Sequence, residues 1–306
     1  LNEQSRIPDQ VVVVDNGSSE PIPIEVFNKN PACVIRMSGN MGFAAANNRA
    51  IEQMTGSDWI ALLNPDAVPD KNWLKLLLTA AENNPEASAF GSKQLMANDH
   101  SLVDGLGDVY HVCGAAWRAC HGRPDQSSSN DVREIFSPCA AAAMYKRSAL
   151  INAGGFDEDF FCYFEDVDLG FRMRLLGYKL MLAPEAIVYH SGGATSGGNQ
   201  SDFAVYHGQR NMVWAFFKNM PTIYLFIYIF EHLLFNFASI VYFAIKGQGS
   251  IVLKAKWDAL LGLPRILRKR GSIQSGISIP REQVLSNIEK GFLAPYHRRF
   301  SPTNGA

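Results

Sequence analysis

Little in this 306-residue sequence is extreme, and each thing it lacks narrows the reading. Net charge is nearly nil, −1 from 28 basic and 29 acidic side chains. No global field therefore draws the chain to nucleic acid, and attraction to an anionic surface has to come from local clusters. Cysteine is sparse and odd in number: Cys33, Cys113, Cys120, Cys139 and Cys162 are scattered, with no CxxC pair. That disfavours a disulfide framework and a structural zinc site, and fits a reducing cytoplasm. The first residues hold no charged segment followed by an apolar one, from which a main domain inside the cell is expected. No G-x-G-x-x-G follows a strand, which argues against a dinucleotide-dependent dehydrogenase, and no internal repeat is visible. What is present is ample apolar material: 47% hydrophobic residues can bury the core of one large domain with an appendage.

The pattern along the chain is that of an α/β protein. Val11-Val12-Val13-Val14 runs into Asp15-Asn16-Gly17-Ser18-Ser19 and reads as a fully buried strand ending in a turn. Ala32 to Met37 reads as a second strand, Ala44 to Met54 as an alanine-rich helix, Trp59 to Leu63 as a third strand and Trp73 to Asn83 as a helix. Such alternation predicts a mostly parallel sheet flanked by helices, with ligands beyond the carboxyl ends of its strands. From Leu95 to Phe136 the periodicity fades, so this stretch, peaking at Gln126 to Asn130, is expected to be a mobile loop over the site. Cys139 to Tyr145 then reads as a strand, Arg147 to Ala153 as a short helix, Phe160 to Leu176 as an acid-opened helix, and Ala186 to His190 as a last strand before the glycine-rich Ser191 to Gly198. Two regions follow: residues 1–219 as the α/β domain and 220–306 as a helical, membrane-associated part.

Six ordered motifs carry a resemblance. Val14-Asp15-Asn16-Gly17-Ser18-Ser19, Asn40-Met41-Gly42-Phe43-Ala44 with Asn47-Asn48, Leu63-Asn64-Pro65-Asp66, Gly155-Phe156-Asp157-Glu158, Phe164-Glu165-Asp166-Val167-Asp168-Leu169 and Gln209-Arg210-Asn211 occur in the order seen in family 2 glycosyltransferases. The chain resembles the rhamnosyltransferase-like branch from about Val11 to Asn219. This implies a GT-A (Rossmann-like) fold and an inverting enzyme that moves a sugar from a nucleotide diphosphate donor to a lipid-linked or polysaccharide acceptor in cell-surface glycan synthesis. Rhamnose from dTDP-rhamnose comes first, with galactofuranosyl and N-acetylhexosaminyl donors as alternatives. Leu1 to Gln10 resembles only the tail of the family's first helix, so the first strand and helix are expected to be missing. From another class, a non-catalytic nucleotide-sugar-binding remnant or partner is the rival reading; the retention of Asp66, Asp166 and His190 argues against it.

Each candidate residue has a plain structural alternative. A departing pyrophosphate needs its charge neutralised, which a divalent cation does. Asn64-Pro65-Asp66 stands where relatives carry Asp-x-Asp, so Asp66 is expected to bind Mn²⁺ or Mg²⁺, unless the tripeptide is merely a turn. The resemblance makes His190 the second protein ligand. Asp166, at the mouth of a helix whose dipole favours an ionised carboxylate, is the expected base for the acceptor hydroxyl; helix capping is its alternative. Glu165, Asp168 and Arg172 share a face and read as helix support. Asp15 is expected at the nucleotide and Asn40 and Gly42 in a loop against the donor, or simply in turns and caps. Arg210 can pair with pyrophosphate or an acceptor phosphate, or form a surface ion pair.

Ile223 to Ile245 is almost continuously apolar and long enough to cross a bilayer. Beyond it lie Lys254, Lys256, Arg265, Arg268, Lys269 and Arg270. A single span would put these cations and the catalytic domain on opposite sides of the membrane, so a shallow or re-entrant helix with a basic patch is expected instead. The protein is then peripheral on the inner face of the cell membrane.

Overall fold

A computed structural model describes residues 1–20, 22, 32–125, 131–192 and 201–296; the expectations for Gln126 to Asn130 and for most of Ser191 to Gly198 lie outside them. In chain order, β1 (Val11–Asp15), β2 (Ala32–Arg36), α1 (Gly42–Gln53), β3 (Trp59–Leu63), β4 (Ala67–Pro69), α2 (Trp73–Asn83) and β5 (Ala87–Met96) come first. Next are β6 (Asp99–Gly105), β7 (Asp108–Tyr110), β8 (Ala116–Arg118), β9 (Arg133–Glu134), β10 (Ala142–Lys146), α3 (Arg147–Asn152), α4 (Glu165–Leu175) and β11 (Lys179–His190). Three long helices follow, α5 (Asp202–Asn219), α6 (Thr222–Ile245) and α7 (Gly249–Ser275).

The α/β architecture is as expected, but the pairing is not mostly parallel. The large sheet is mixed, in the order β3-β10-β5-β11-β4 with β6 on β5 and β9 on β11. Within it only β5 and β11 run parallel; β10 lies antiparallel to both β3 and β5. The reason is the excursion through β6 to β9, which returns the chain to the sheet from the opposite end. That stretch is not a simple loop: among its described residues short strands pair and many side chains are buried. Val103, Leu106 and Ile135 pack with Leu95 and Leu182. Such burial comes from tertiary contacts, which leave no period in the sequence.

Helices cover both faces. Ile51, Leu150, Leu169 and Met173 fill one side against Ile60, Ala143 and Tyr145, while Trp73, Leu74 and Leu77 fill the other against Phe90 and Met144. Parallel β1 and β2 form a separate two-stranded sheet. The valine run is accordingly only partly buried, with Val11 and Asp15 inside and the residues between them half-buried, because β1 has a single partner strand among the described residues.

The long C-terminal helices are locked to this body. Trp214 on α5 donates its indole N–H to the carbonyl of Ala259 at 2.9 Å, and Gly262 leaves room for that ring: a Cβ there would sit 2.5 Å from it. Lys218 and Asn219 reach the buried carboxylate of Asp168, at 2.8 Å each. Asp168 also takes Arg172 at 2.9 Å as the helix spacing predicts, whereas Glu165 does not join them; it is buried, with Oε2 lacking a hydrogen-bond partner among the described residues.

Candidate active site

Asp66 sits in the turn after β3, where the N–H of Ala67 closes onto the carbonyl of Asn64 at 3.1 Å. His190 ends β11 beside β4, paired with Ala67. The sheet thus brings two sequence-distant groups together: Asp66 Oδ1 lies 3.5 Å from His190 Nε2. On the far side of the ring, His190 Nδ1 meets Asp104 Oδ2 at 2.7 Å. A carboxylate only accepts, so Nδ1 donates to Asp104 while Nε2 is turned to the Asp66 oxygen. A carboxylate oxygen and an imidazole nitrogen turned to each other can share a cation, and an imidazole oriented by a carboxylate is a common cation-binding arrangement. Asp66 and His190 therefore fit a divalent ion, with Asp104 orienting the ring. Among the described residues no three His, Cys, Asp or Glu side chains are arranged to hold a metal ion by themselves, so such an ion would draw its other ligands from phosphate oxygens or water.

Asp104 connects this corner to the acidic helix. Burial alone would raise its pKa, but hydrogen bonds from His121 and His190 and the charge of Arg118 hold it well below the ordinary carboxylate value. Arg118 is ion-paired to Asp104 and lies within electrostatic reach of Asp108 and Asp166. Asp108, opposite Arg118 in the β7–β8 ladder, is buried with Oδ2 lacking a partner among the described residues. Burial first and the charge of Asp166 second push its carboxyl well up. The run Asp66–His190–Asp104–Arg118–Asp108/Asp166 is one continuous electrostatic network. Asp104, Asp108, Arg118 and His121 were not legible as site residues; the available signal was a pair of acids flanking the glycine turn in Val103-Asp104-Gly105-Leu106-Gly107-Asp108.

Asp166 opens α4. Its carboxylate accepts the N–H of Val167 at 2.8 Å and of Ala140 at 3.2 Å, while its carbonyl accepts the Ser137 hydroxyl at 2.8 Å. The helix dipole does not win here: loss of water raises the Asp166 pKa, opposed by those N–H groups and Arg118. This moves the carboxyl towards the range in which a proton acceptor works near neutral pH.

A second cluster forms around β1. Asp15 is buried, accepts the N–H of Ser18 at 2.8 Å and lies 3.7 Å from Arg36; the Ser18 hydrogen bonds lower its pKa. Asn16 accepts from Met41 N–H at 2.9 Å and donates to the Gly42 carbonyl at 3.1 Å, and Asn40 accepts from Gly42 N–H at 3.0 Å. Gly42, at φ +87°, would place a Cβ 2.5 Å from the carbonyl oxygen of Phe161. Close approach is thus required by the loop before α4. Arg210 does not join the acidic network. Its guanidinium stacks on Trp214 at 4.3 Å and donates to the carbonyls of Asp159 and Phe160, so it holds that same loop.

The architecture is that of the GT-A fold. The glycosyl transferase family 2 model matches residues 1–152, so that part of the chain carries a domain of this family. It is 29% identical over 226 residues to the N-acetylglucosaminyl-diphospho-decaprenol L-rhamnosyltransferase of Mycobacterium tuberculosis, covering 65% of this chain and 72% of that protein. It is also similar, at 22% over 234 residues, to the poly-beta-1,6-N-acetyl-D-glucosamine synthase of Staphylococcus aureus, covering 74% of this chain and 54% of that one. Among solved structures, residues 1–349 of S. aureus TarS with UDP-GlcNAc superpose at a TM-score of 0.56 with 17% identity, over 94% of this chain and 82% of that one. GalNAc-T7 with UDP, GalNAc and Mn²⁺ gives 0.53 with 12% identity, over 68% and 41%. These likenesses establish the fold.

Proposed function

We propose that this chain is an inverting, metal-assisted glycosyltransferase that moves a sugar, rhamnose first, from a nucleotide diphosphate donor to a lipid-linked acceptor of cell-surface glycan synthesis. The observation that carries the reading is the network linking Asp66 and His190 to Asp166 through Asp104 and Arg118. In this reading Asp66 and His190 hold Mn²⁺ or Mg²⁺, which supplies charge neutralisation for the departing diphosphate. Asp104 keeps the ring of His190 in one tautomer and orientation. Asp15 and the loop of Asn40 and Gly42 border the nucleotide, and Asn64 shapes the turn that presents Asp66. Asp166 accepts the proton of the acceptor hydroxyl as the new bond forms on the face opposite the leaving group, giving inversion. The rhamnosyl donor, dTDP-rhamnose, and the lipid-linked acceptor are supported by likeness to the decaprenol-linked rhamnosyltransferase; Mn²⁺ is supported by its presence in a structure sharing the fold. We place the protein on the inner face of the cell membrane through α6.

The test is donor hydrolysis and transfer across a panel of nucleotide sugars, with Mn²⁺, Mg²⁺ or chelator. Asp66→Ala is expected to abolish metal-dependent turnover, and Asp166→Asn to lower transfer by roughly a hundredfold or more with little change in donor binding. Turnover that persists in chelator or in Asp66→Ala would falsify the metal assignment. A chain that binds donors without any turnover would favour the non-catalytic reading.

A further inference from the structure

The β7–β8 ribbon and the start of α4 are tied together through Ser137. The N–H of Asp108 donates to the Ser137 carbonyl at 2.8 Å, and the Ser137 hydroxyl donates to the carbonyl of Asp166 at 2.8 Å. A Cβ at Gly170, one turn further along α4, would overlap that hydroxyl, so a glycine is what lets Ser137 approach the helix. Directly across the ladder from Asp108 stands Arg118. Its stem runs over Gly105, where a Cβ would lie 3.2 Å from the arginine Cδ, and its guanidinium is ion-paired to Asp104. The ribbon thus holds one arginine in a fixed place beside the residue proposed as base.

The titratable groups that act on Asp166 come from every side. They are Arg118 on β8, Asp108 on β7, Cys139 just before β10, Tyr145 on β10, Cys162 in the loop before α4, and Glu165 on α4 itself. Arg118 is the one cation in this set. Burial holds the two thiols and the phenol neutral, and it pushes the carboxyls of Asp108 and Glu165 well up, with the charge of Asp166 adding to it. Burial works on Asp166 in the same direction, against the N–H groups of Ala140 and Val167 and the charge of Arg118. A guanidinium keeps its charge at any working pH. Of the side chains around Asp166, it is therefore the arginine that favours a carboxylate there.

We propose that Arg118 is a positioning residue for the base: held in the ribbon by Asp104, it supplies the positive charge that keeps Asp166 ionised and able to accept a proton. The inference rests on the reading of Asp166 as the base and names the side chain on which its ionisation depends. Because Asp104 also orients His190, one guanidinium serves the cation corner and the base together.

The test labels the full chain with [4-¹³C]aspartate in detergent micelles, identifies the Asp166 carboxyl signal by its absence in Asp166→Asn, and follows its titration. Arg118→Gln is expected to raise the midpoint by about one pH unit or more, roughly a tenfold loss of the ionised form at any pH well below it. Arg118→Lys keeps the charge and should titrate near the parent. Arg118→Gln alone strands Asp104 in a buried place and can unfold the ribbon, whereas Arg118→Gln combined with Asp104→Asn removes both partners; the midpoint should rise in the double variant too. In turnover, the acid limb of the kcat profile should move up by the same amount, so that activity lost at low pH returns as pH rises. A merely structural arginine would cost activity at every pH alike. Asp108→Asn, at a carboxyl that is already protonated, should leave the Asp166 midpoint in place. An unmoved midpoint without Arg118, or a rise in Arg118→Lys as large as in Arg118→Gln, overturns the proposal, and so does a fall in Asp108→Asn, which would hand control to Asp108. The titration needs no substrate: an unmoved midpoint counts against Arg118, while a parent chain without turnover counts against the transferase reading.

Discussion

Phe161, Tyr163 and Phe164 hold φ angles of +64°, +66° and +69° immediately before the acidic pair Glu165-Asp166. Non-glycine residues in this left-handed region cost about 1–2 kcal/mol each, so something must over-determine the loop. Asn211 does: the two hydrogens of its amide nitrogen are shared among the carbonyls of Phe160, Cys162 and Tyr163, at 2.8, 2.9 and 2.6 Å. Arg210 adds the carbonyl of Asp159. Asn211 is therefore a positioning residue for Asp166, reached through the backbone. Asn211→Ala should lower the unfolding free energy by about 2–3 kcal/mol and reduce kcat by at least about tenfold with donor KM little changed. Thermal unfolding and a split of kcat from KM check this; a loss of stability with unaltered kcat would leave Asn211 a purely structural residue. The Gln209-Arg210-Asn211 motif was visible in the sequence, but its role was not. Nothing in a tripeptide on a helix says that its partners are three carbonyls some fifty positions earlier. By contrast the meeting of Asp66 and His190 was legible, because one lies in the turn after an apolar strand and the other ends one, and sheet edges are where such strands deliver their last side chains.

At the scale of elements, regular segments were readable and buried irregular ones were not. Strand β3 and helix α2 have the bounds their apolar patterns indicate, whereas β5, with Ser88, Ser92, Lys93 and Gln94 all buried in it, carries no alternation to read. Its polar side chains have tertiary partners, such as Ser92 with the Trp73 indole at 2.7 Å. Helix α7 corrects a larger expectation. Several of its cations are tied to the protein: Arg265 pairs with Asp159 at 3.0 Å, Lys269 with Asp159 at 2.7 Å, and Arg270 donates to the carbonyls of Phe217 and Met220, while Lys254 and Arg268 stay exposed. Arg265 and Lys269 thereby clamp α7 to the Asp157–Asp159 turn, and Arg270 to the end of α5.

Helix α6 is fixed from beneath by His232, stacked on Phe216 at 4.0 Å between ring centroids and bonded to the Cys113 carbonyl at 2.8 Å. Burial lowers its pKa from 6.5 to about 4. Between these values the unfolded chain binds the proton and the folded chain does not. The contribution is thus fully present above pH 6.5 and is lost as pH falls towards 4, at most about 3 kcal/mol. His232→Gln should flatten that part of the stability profile relative to the parent, as followed by denaturant unfolding at pH 7, 5.5 and 4.5. An unchanged pH slope would mean that His232 does not titrate as its burial requires.

The whole molecule presents an asymmetric surface. Helix α6 is the one described helix long and apolar enough to cross a membrane, yet only 22% of its most apolar window is buried, so its side chains do not serve as an ordinary protein core. Phe226, Phe230, Phe237 and Val241 form one helical stripe, and Leu253, Trp257, Leu260 and Leu261 form another on α7, all exposed. An apolar face this large needs a cover, and the inward commitment of the α7 cations decides which physics would supply it. Attachment by a basic patch is worth about 1 kcal/mol per lysine or arginine and fades with salt. Insertion of exposed phenylalanines into the interface contributes roughly 1.5–3 kcal/mol for each side chain fully buried and is nearly indifferent to salt. The expected outcome in vesicle flotation is therefore binding to neutral as well as anionic vesicles, surviving high salt, and lost in the double substitution Phe226→Asp with Phe230→Asp. Binding confined to anionic vesicles and released by salt would instead mean that the α7 cations dominate by pairing with anionic headgroups, and that α7 loosens from the Asp157–Asp159 turn at the membrane to free them.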